Sequence, residues 1–98
     1  FVCGPAVSVD WRAIDLSQHR PIGHVAGRYS REGIGSNVLG DPRLALTWLA
    51  NELSDLGITL GAGQTVTTGT CLVPLEVRSG DAVTGDFGVF GQVSMRFG

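Results

Sequence analysis

Residues 67–71 read TTGTC, three threonines, a glycine and a cysteine, just ahead of Leu72, Val73 and Pro74. A hydroxyl both donates and accepts hydrogen bonds. Thr68, Gly69 and Thr70 can therefore present two hydroxyls and bare N–H groups to one point. That arrangement suits a carboxylate or an enol oxygen, the kind of group an oxyanion site stabilises. The same residues would also make an ordinary turn whose hydroxyls satisfy nearby backbone groups. Residue type alone leaves both readings open.

Other chemistry-bearing residues are sparse. Cys71 as a nucleophile would need a base and an orienting third group, and no such arrangement is recognisable, so it reads as a small buried apolar residue. His19 and His24 are five apart with Asp15 and Glu32 nearby. Zinc sites prefer a tighter ligand pair, and two half-exposed histidines flanking a strand fit the spacing better. The nine acidic residues include no Glu-x-Glu pair, so neighbours in sequence cannot assemble a carboxylate cage for a hard cation. All seven cationic residues are arginine, which excludes a Schiff base or a lysine general base from this chain. The Gly-rich stretch EGIGSNVLGDP precedes a helix, as a phosphate cradle would, but it lacks the P-loop pattern. Asp41 would also repel an anion there.

Ninety-eight residues, 43% hydrophobic and 16% charged, make one globular domain over 1–98. A net charge of −2 with scattered arginines excludes nucleic acid as a partner, because phosphate binding needs a clustered basic face. No apolar run is long enough to span a membrane. Cys3 and Cys71 lack disulfide-framework density, which points to a reducing cytoplasm.

These residues need elements to hold them. FVCGPAV reads as the end of a buried strand stopped at Gly4-Pro5. The pattern after His19 predicts a hairpin, with strands at 22–25 and 28–32 about a turn at Ala26-Gly27. Ile34, Val38 and Leu39 would anchor the Gly-rich loop. A helix is predicted at about 42–56: Asp41 caps it, Pro42 occupies N1, and Gly57 takes the left-handed position after its end. Leu46, Leu49, Leu53 and Leu56 form one apolar stripe, widened by Trp48. The last third reads as β, with strands at QTVTTG, on both sides of Ser79-Gly80, and at GQVSMRF. In that last strand Val93, Met95 and Phe97 share one face. The fold class is α+β with a mainly antiparallel sheet and one principal helix.

Four segments in order carry a resemblance: VLGDP entering the helix, WLANEL within it, AGQTVTTGT after it and GDAVTGDFGVFGQVSMRF at the end. From about Glu32 to Phe97 the chain resembles the C-terminal portion of 2-keto-4-pentenoate (2-hydroxypenta-2,4-dienoate) hydratases. These are relatives of 4-oxalocrotonate decarboxylase in the fumarylacetoacetate hydrolase superfamily. The resemblance implies a β-rich fold and an enzyme dependent on Mg²⁺ or Mn²⁺. Its substrates are small 2-hydroxydienoic or 2-keto acids from the breakdown of aromatic compounds. It also implies that Thr68, Gly69 and Thr70 lie at the substrate. The family's Glu-x-Glu metal motif and catalytic lysine lie upstream of the matching region and have no counterpart here. The chain is therefore expected to bind no metal alone, to need a missing N-terminal half for activity, and to form a homo-oligomer through uncovered apolar faces. The alternative is a non-catalytic β-rich binding or assembly module derived from that fold.

Overall fold

The computed structural model describes residues 1–98. Its centre is a four-stranded antiparallel sheet: β1 (Ile22–Val25), β2 (Tyr29–Glu32), β3 (Ala82–Asp86) and β4 (Gln92–Arg96), in the order β2-β1-β3-β4. β1 and β2 are the predicted hairpin, and Gly27 at its turn takes φ 71°, a conformation that costs glycine little. The central pairing joins β1 to β3, with Gly23 opposite Gly85 and Val25 opposite Val83. Everything between Gly33 and Asp81, including the one α-helix and the threonine loop, is thus an excursion that leaves the sheet and returns to it.

Residues paired across a ladder point the same way, so register sorts the sheet into two faces. One face carries His24, which hydrogen-bonds Ser30 through Nδ1, and Thr84, which bonds Ser94. It is polar. The other carries Gly23, Val25, Val83, Gly85 and Val93, and residues 71–76 lie across it. A Cβ at Gly23 would come 2.8 Å from Leu75 Cδ1, so the missing side chain lets Leu75 lie flat on the backbone. Tyr29 Oη donates to the Glu76 carbonyl (2.7 Å), and the Arg31 guanidinium donates to that of Pro74. These contacts tie residues 71–76 to β2 through side chains, not a ladder. Segments 64–69 and 75–78, expected as strands, consequently form none. The N-terminal segment is also not a strand: residues 1–8 are exposed and make no backbone hydrogen bonds, although Gly4 lies against Val93 of β4.

Helix α1 (Pro42–Asp55) begins and ends where its signals place it. Asp41 accepts from the Arg43 N–H (2.9 Å) and from its guanidinium (2.6 Å). At the other end Gly57 has φ 74°, Ile58 N–H donates to the Leu53 carbonyl (2.8 Å) and Gly57 N–H to that of Ser54 (3.0 Å), the bond pair of a Schellman ending. The expected stripe is only partly covered. Leu49 and Leu53 are half-buried, but Leu46, Trp48 and Leu56 are exposed, since no strand packs extensively on the helix. Leu39, expected as an anchor, is also exposed, held at φ 53° in the chain reversal before the cap.

The cap yields a pH prediction. Hydrogen bonds from the Arg43 side chain, then from its backbone N–H, hold the Asp41 carboxyl below its ordinary value of 3.8. A carboxyl with a depressed folded-state pKa stabilises the fold above its unfolded value, and that stabilisation is lost as the pH falls through the folded value. The thermal midpoint should therefore drop as the pH is taken below 3.8, and Asp41→Asn, which still caps, should flatten that part of the profile. An unchanged profile in the variant would exclude the cap as the titrating element.

The core is small. Val25 and Val38 are the only fully buried apolar side chains. The accessible surface is 6920 Å², whereas a compact chain of this mass would expose about 5,400 Å². The radius of gyration is 15.2 Å, against about 13 Å for a compact domain of this length.

Candidate functional site

Four segments converge on one open cavity of about 260 Å³. Thr68 and Gly69 form one wall. Leu16 and His19 form a second, Gly35 and Val38 the floor, and Phe87 and Phe90 the far side.

Each wall is fixed by identifiable bonds. The Cys71 carbonyl accepts from the Ile34 N–H (3.0 Å) and from Asn37 Nδ2 (2.9 Å), which anchors the threonine loop over the Gly-rich loop. Gly33 permits this approach, since a Cβ there would lie 2.5 Å from the Cys71 oxygen. Gly35 N–H donates to the His19 carbonyl (2.8 Å) and Ser36 N–H to that of Ser17 (2.7 Å), so residues 16–19 are stitched to the same loop. The far wall is a single turn between β3 and β4. Asp86 Oδ1 accepts from Gly88 N–H (2.9 Å), and the Gly91 carbonyl accepts from Phe87 N–H (2.9 Å). His19 Nε2 lies 2.8 Å from the Phe87 carbonyl oxygen and its ring meets Phe90 edge-on, with centroids 5.0 Å apart. The segment before β1 and the β3–β4 turn thereby meet.

The threonine loop divides its residues. The Thr68 hydroxyl has no protein partner, and none of the N–H groups of residues 67–71 donates to a backbone carbonyl. Gly69 has φ 107°, with Val38 beneath it. Thr70 turns away: its hydroxyl donates to the Leu72 carbonyl (2.8 Å), and it borders a separate shallow depression with Asn37 and Pro74. Thr68 and Gly69 thus line the cavity with donors that have no protein partner, and no arginine is in its lining. Burial pushes the Cys71 thiol above its ordinary pKa, the opposite of what a thiolate nucleophile requires. His19 and His24 do not meet: His24 bonds Ser30 within the β1–β2 hairpin, whereas His19 bonds the Phe87 carbonyl in the turn between β3 and β4. No group of three or more His, Cys, Asp or Glu in the chain could hold a metal ion. No helix is long and apolar enough to cross a membrane.

Sequence reasoning singled out Thr68 and Gly69 by type. It did not find Leu16, Phe87 or Phe90, because nothing local marks them as wall residues.

No family model matches the chain. It is 35% identical over 71 residues to the 2-oxo-hept-4-ene-1,7-dioate hydratase of Escherichia coli, a match covering 72% of the chain and 27% of that enzyme. It is 37% identical over 65 residues to the 4-oxalocrotonate decarboxylase of Pseudomonas putida, covering 66% of the chain and 25% of the relative. Among solved structures, the 4-oxalocrotonate decarboxylase of Pseudomonas putida G7, in complex with calcium and acetate, superposes with a TM-score of 0.76 at 31% identity. That superposition covers 88% of the chain.

The chain is homologous to one part of these hydratases and decarboxylases, enzymes of the fumarylacetoacetate hydrolase superfamily.

A further relative, the 2-hydroxyhexa-2,4-dienoate hydratase of Comamonas testosteroni, is 36% identical over 55 residues, which is 56% of the chain and 21% of the relative. The chain spans about a quarter of the length of these curated relatives and 33% of the solved decarboxylase. The antiparallel sheet with one main helix agrees with the fold expected of a hydratase-family portion.

Proposed function

We propose that residues 1–98 are one domain, the C-terminal part of a metal-dependent hydratase. This enzyme adds water to 2-hydroxy-2,4-dienoates of the 2-keto-4-pentenoate type during cytoplasmic breakdown of aromatic compounds. The observation that supports the reading is the loop at Thr68-Gly69, which lines an open cavity and whose donors have no protein partner, in a chain homologous to part of such hydratases. In this reading the Thr68 hydroxyl and the Gly69 N–H donate to the carboxylate or the 2-oxygen of the acid. As charge builds on that oxygen the bonds strengthen. Thr70 shapes the loop through Leu72 and completes the recognition segment. The residues present do not fit a metal. Mg²⁺ or Mn²⁺, together with a lysine or equivalent base, belongs to upstream polypeptide, and without it the chain is inactive.

The test is complementation. The chain is mixed with a separately produced upstream half of a relative and Mg²⁺, and loss of dienoate ultraviolet absorbance is followed. Turnover is expected from the mixture and from neither part alone. Thr68→Val should then reduce kcat/KM by roughly 10- to 100-fold, the worth of one hydrogen bond to a charged group, while Thr68→Ser stays close to wild type. A well-folded complex without turnover would defeat the proposal. The uncovered apolar faces and the lack of a metal cluster favour a second reading, a non-catalytic assembly module. Failure of oxalate to bind any assembled form would support it.

A further inference from the structure

The turn between β3 and β4 separates two cavities. Phe87 and Phe90 line the cavity described above, of about 260 Å³, and both also line a second one, of about 290 Å³. The second is otherwise bounded by Val2, Cys3, Pro5 and Val7 of the N-terminal segment and by Val93 of β4, a mostly hydrocarbon surface. Thr68 and Gly69 line only the first. Each cavity alone falls below the about 300–1,000 Å³ usual for a small-molecule site, whereas the two together fall within it.

The partition is held by several bonds at once. Phe90 N–H donates to the Phe87 carbonyl (3.2 Å), Gly91 N–H to that of Gly88 (2.9 Å), and Gly88 N–H to Asp86 Oδ1 (2.9 Å). The Phe90 ring is half-buried and meets His19 edge-on. The Phe87 ring instead covers the sheet, since a Cβ at Gly85 would lie 3.0 Å from its Cε2. The outer wall of the second cavity is looser, because residues 1–8 make no backbone hydrogen bonds. A tail that runs from Thr68-Gly69 as far as the rings therefore stops there or turns out through the open mouth. Methylenes left in water contribute nothing to binding. We infer that Phe90 sets an upper limit on tail length, and that the second cavity is the space a longer tail would fill if that ring were cut back. The inference rests on the first cavity being the acid-binding site proposed above.

The test titrates 2-oxopentanoate and 2-oxooctanoate into the ¹³C,¹⁵N-labelled chain. The Gly69 amide reports the head group, and the Val93 methyls report the second cavity. In the wild type both acids should shift the Gly69 amide, and the longer should bind no more than about threefold more tightly than the shorter. Neither should move the Val93 methyls. In Phe90→Ala the longer acid should bind at least about tenfold more tightly than the shorter and move the Val93 methyls, because its extra methylenes are then buried. A larger preference for the longer acid in the wild type, or movement of the Val93 methyls there, overturns the inference while leaving the acid site standing. So does an unchanged ratio in a folded Phe90→Ala variant. The wild-type result decides alone if that variant does not fold. If neither acid perturbs the Gly69 amide, the acid site itself fails and the length limit falls with it.

Discussion

Gly35→Ala should abolish cooperative unfolding of this chain, seen as loss of a sigmoidal urea or thermal transition by circular dichroism. An added Cβ would lie 1.7 Å from the Leu16 carbonyl oxygen, 2.8 Å from its carbon and 3.3 Å from Ser17 Cα. All three are backbone atoms, so no rotamer change relieves the overlap. Separating the two segments would break the Gly35-to-His19 and Ser36-to-Ser17 hydrogen bonds together. Overpacking ordinarily costs about 1–3 kcal/mol, and a backbone-on-backbone clash belongs at or above the top of that range. Small domains have only about 5–15 kcal/mol in total, and a chain with two fully buried apolar side chains sits low in it. Gly61→Ala is the control: its nearest neighbour is Gln64 Oε1 at 3.8 Å, and its effect should stay within about 0.5 kcal/mol. A Gly35→Ala chain that melts like the Gly61→Ala control would show that this seam does not hold the cavity.

That glycine also illustrates what could and could not be read in advance. The helix was legible because its signals are local: Asp41, Pro42 and Gly57 act on groups within a turn of themselves. The β1–β2 hairpin was legible for the same reason. The segments at 64–69 and 75–78 have strand-like composition, but a strand also needs a free ladder partner. Leu72 and Leu75 cover the sheet face at Gly23 instead of joining an edge. The facing glycines at 23 and 85 mark that bare strip only once their pairing is known. In the site, Thr68 and Gly69 stood out by residue type. His19 reads in sequence as a half-exposed histidine flanking a strand, but its partner is a backbone carbonyl 68 positions away, and a carbonyl leaves no trace in sequence. Leu16, Phe87 and Phe90 become neighbours only through the long-range β1–β3 pairing.

Sedimentation at micromolar concentration should find the wild-type chain associated, and Leu44→Gln with Trp48→Gln should make it monomeric. The surface exceeds that of a compact chain by roughly 1,500 Å², and a standard interface takes about 800 Å² from each partner. The excess is thus enough for a stable contact. Leu44 and Trp48, 57% and 62% exposed, lie one helical turn apart, where side chains at i and i+4 form a continuous patch. They sit on the opposite flank of α1 from the half-buried Leu49 and Leu53, so the helix has apolar groups on two sides and covers only one. Burying one such side chain contributes about 1.5–3 kcal/mol. Removing both should therefore weaken association more than about a hundredfold. Because Asp41 and the Gly57 ending lie outside this patch, the double variant should keep its helix content. A wild-type chain that stays monomeric would show that self-association does not cover this flank.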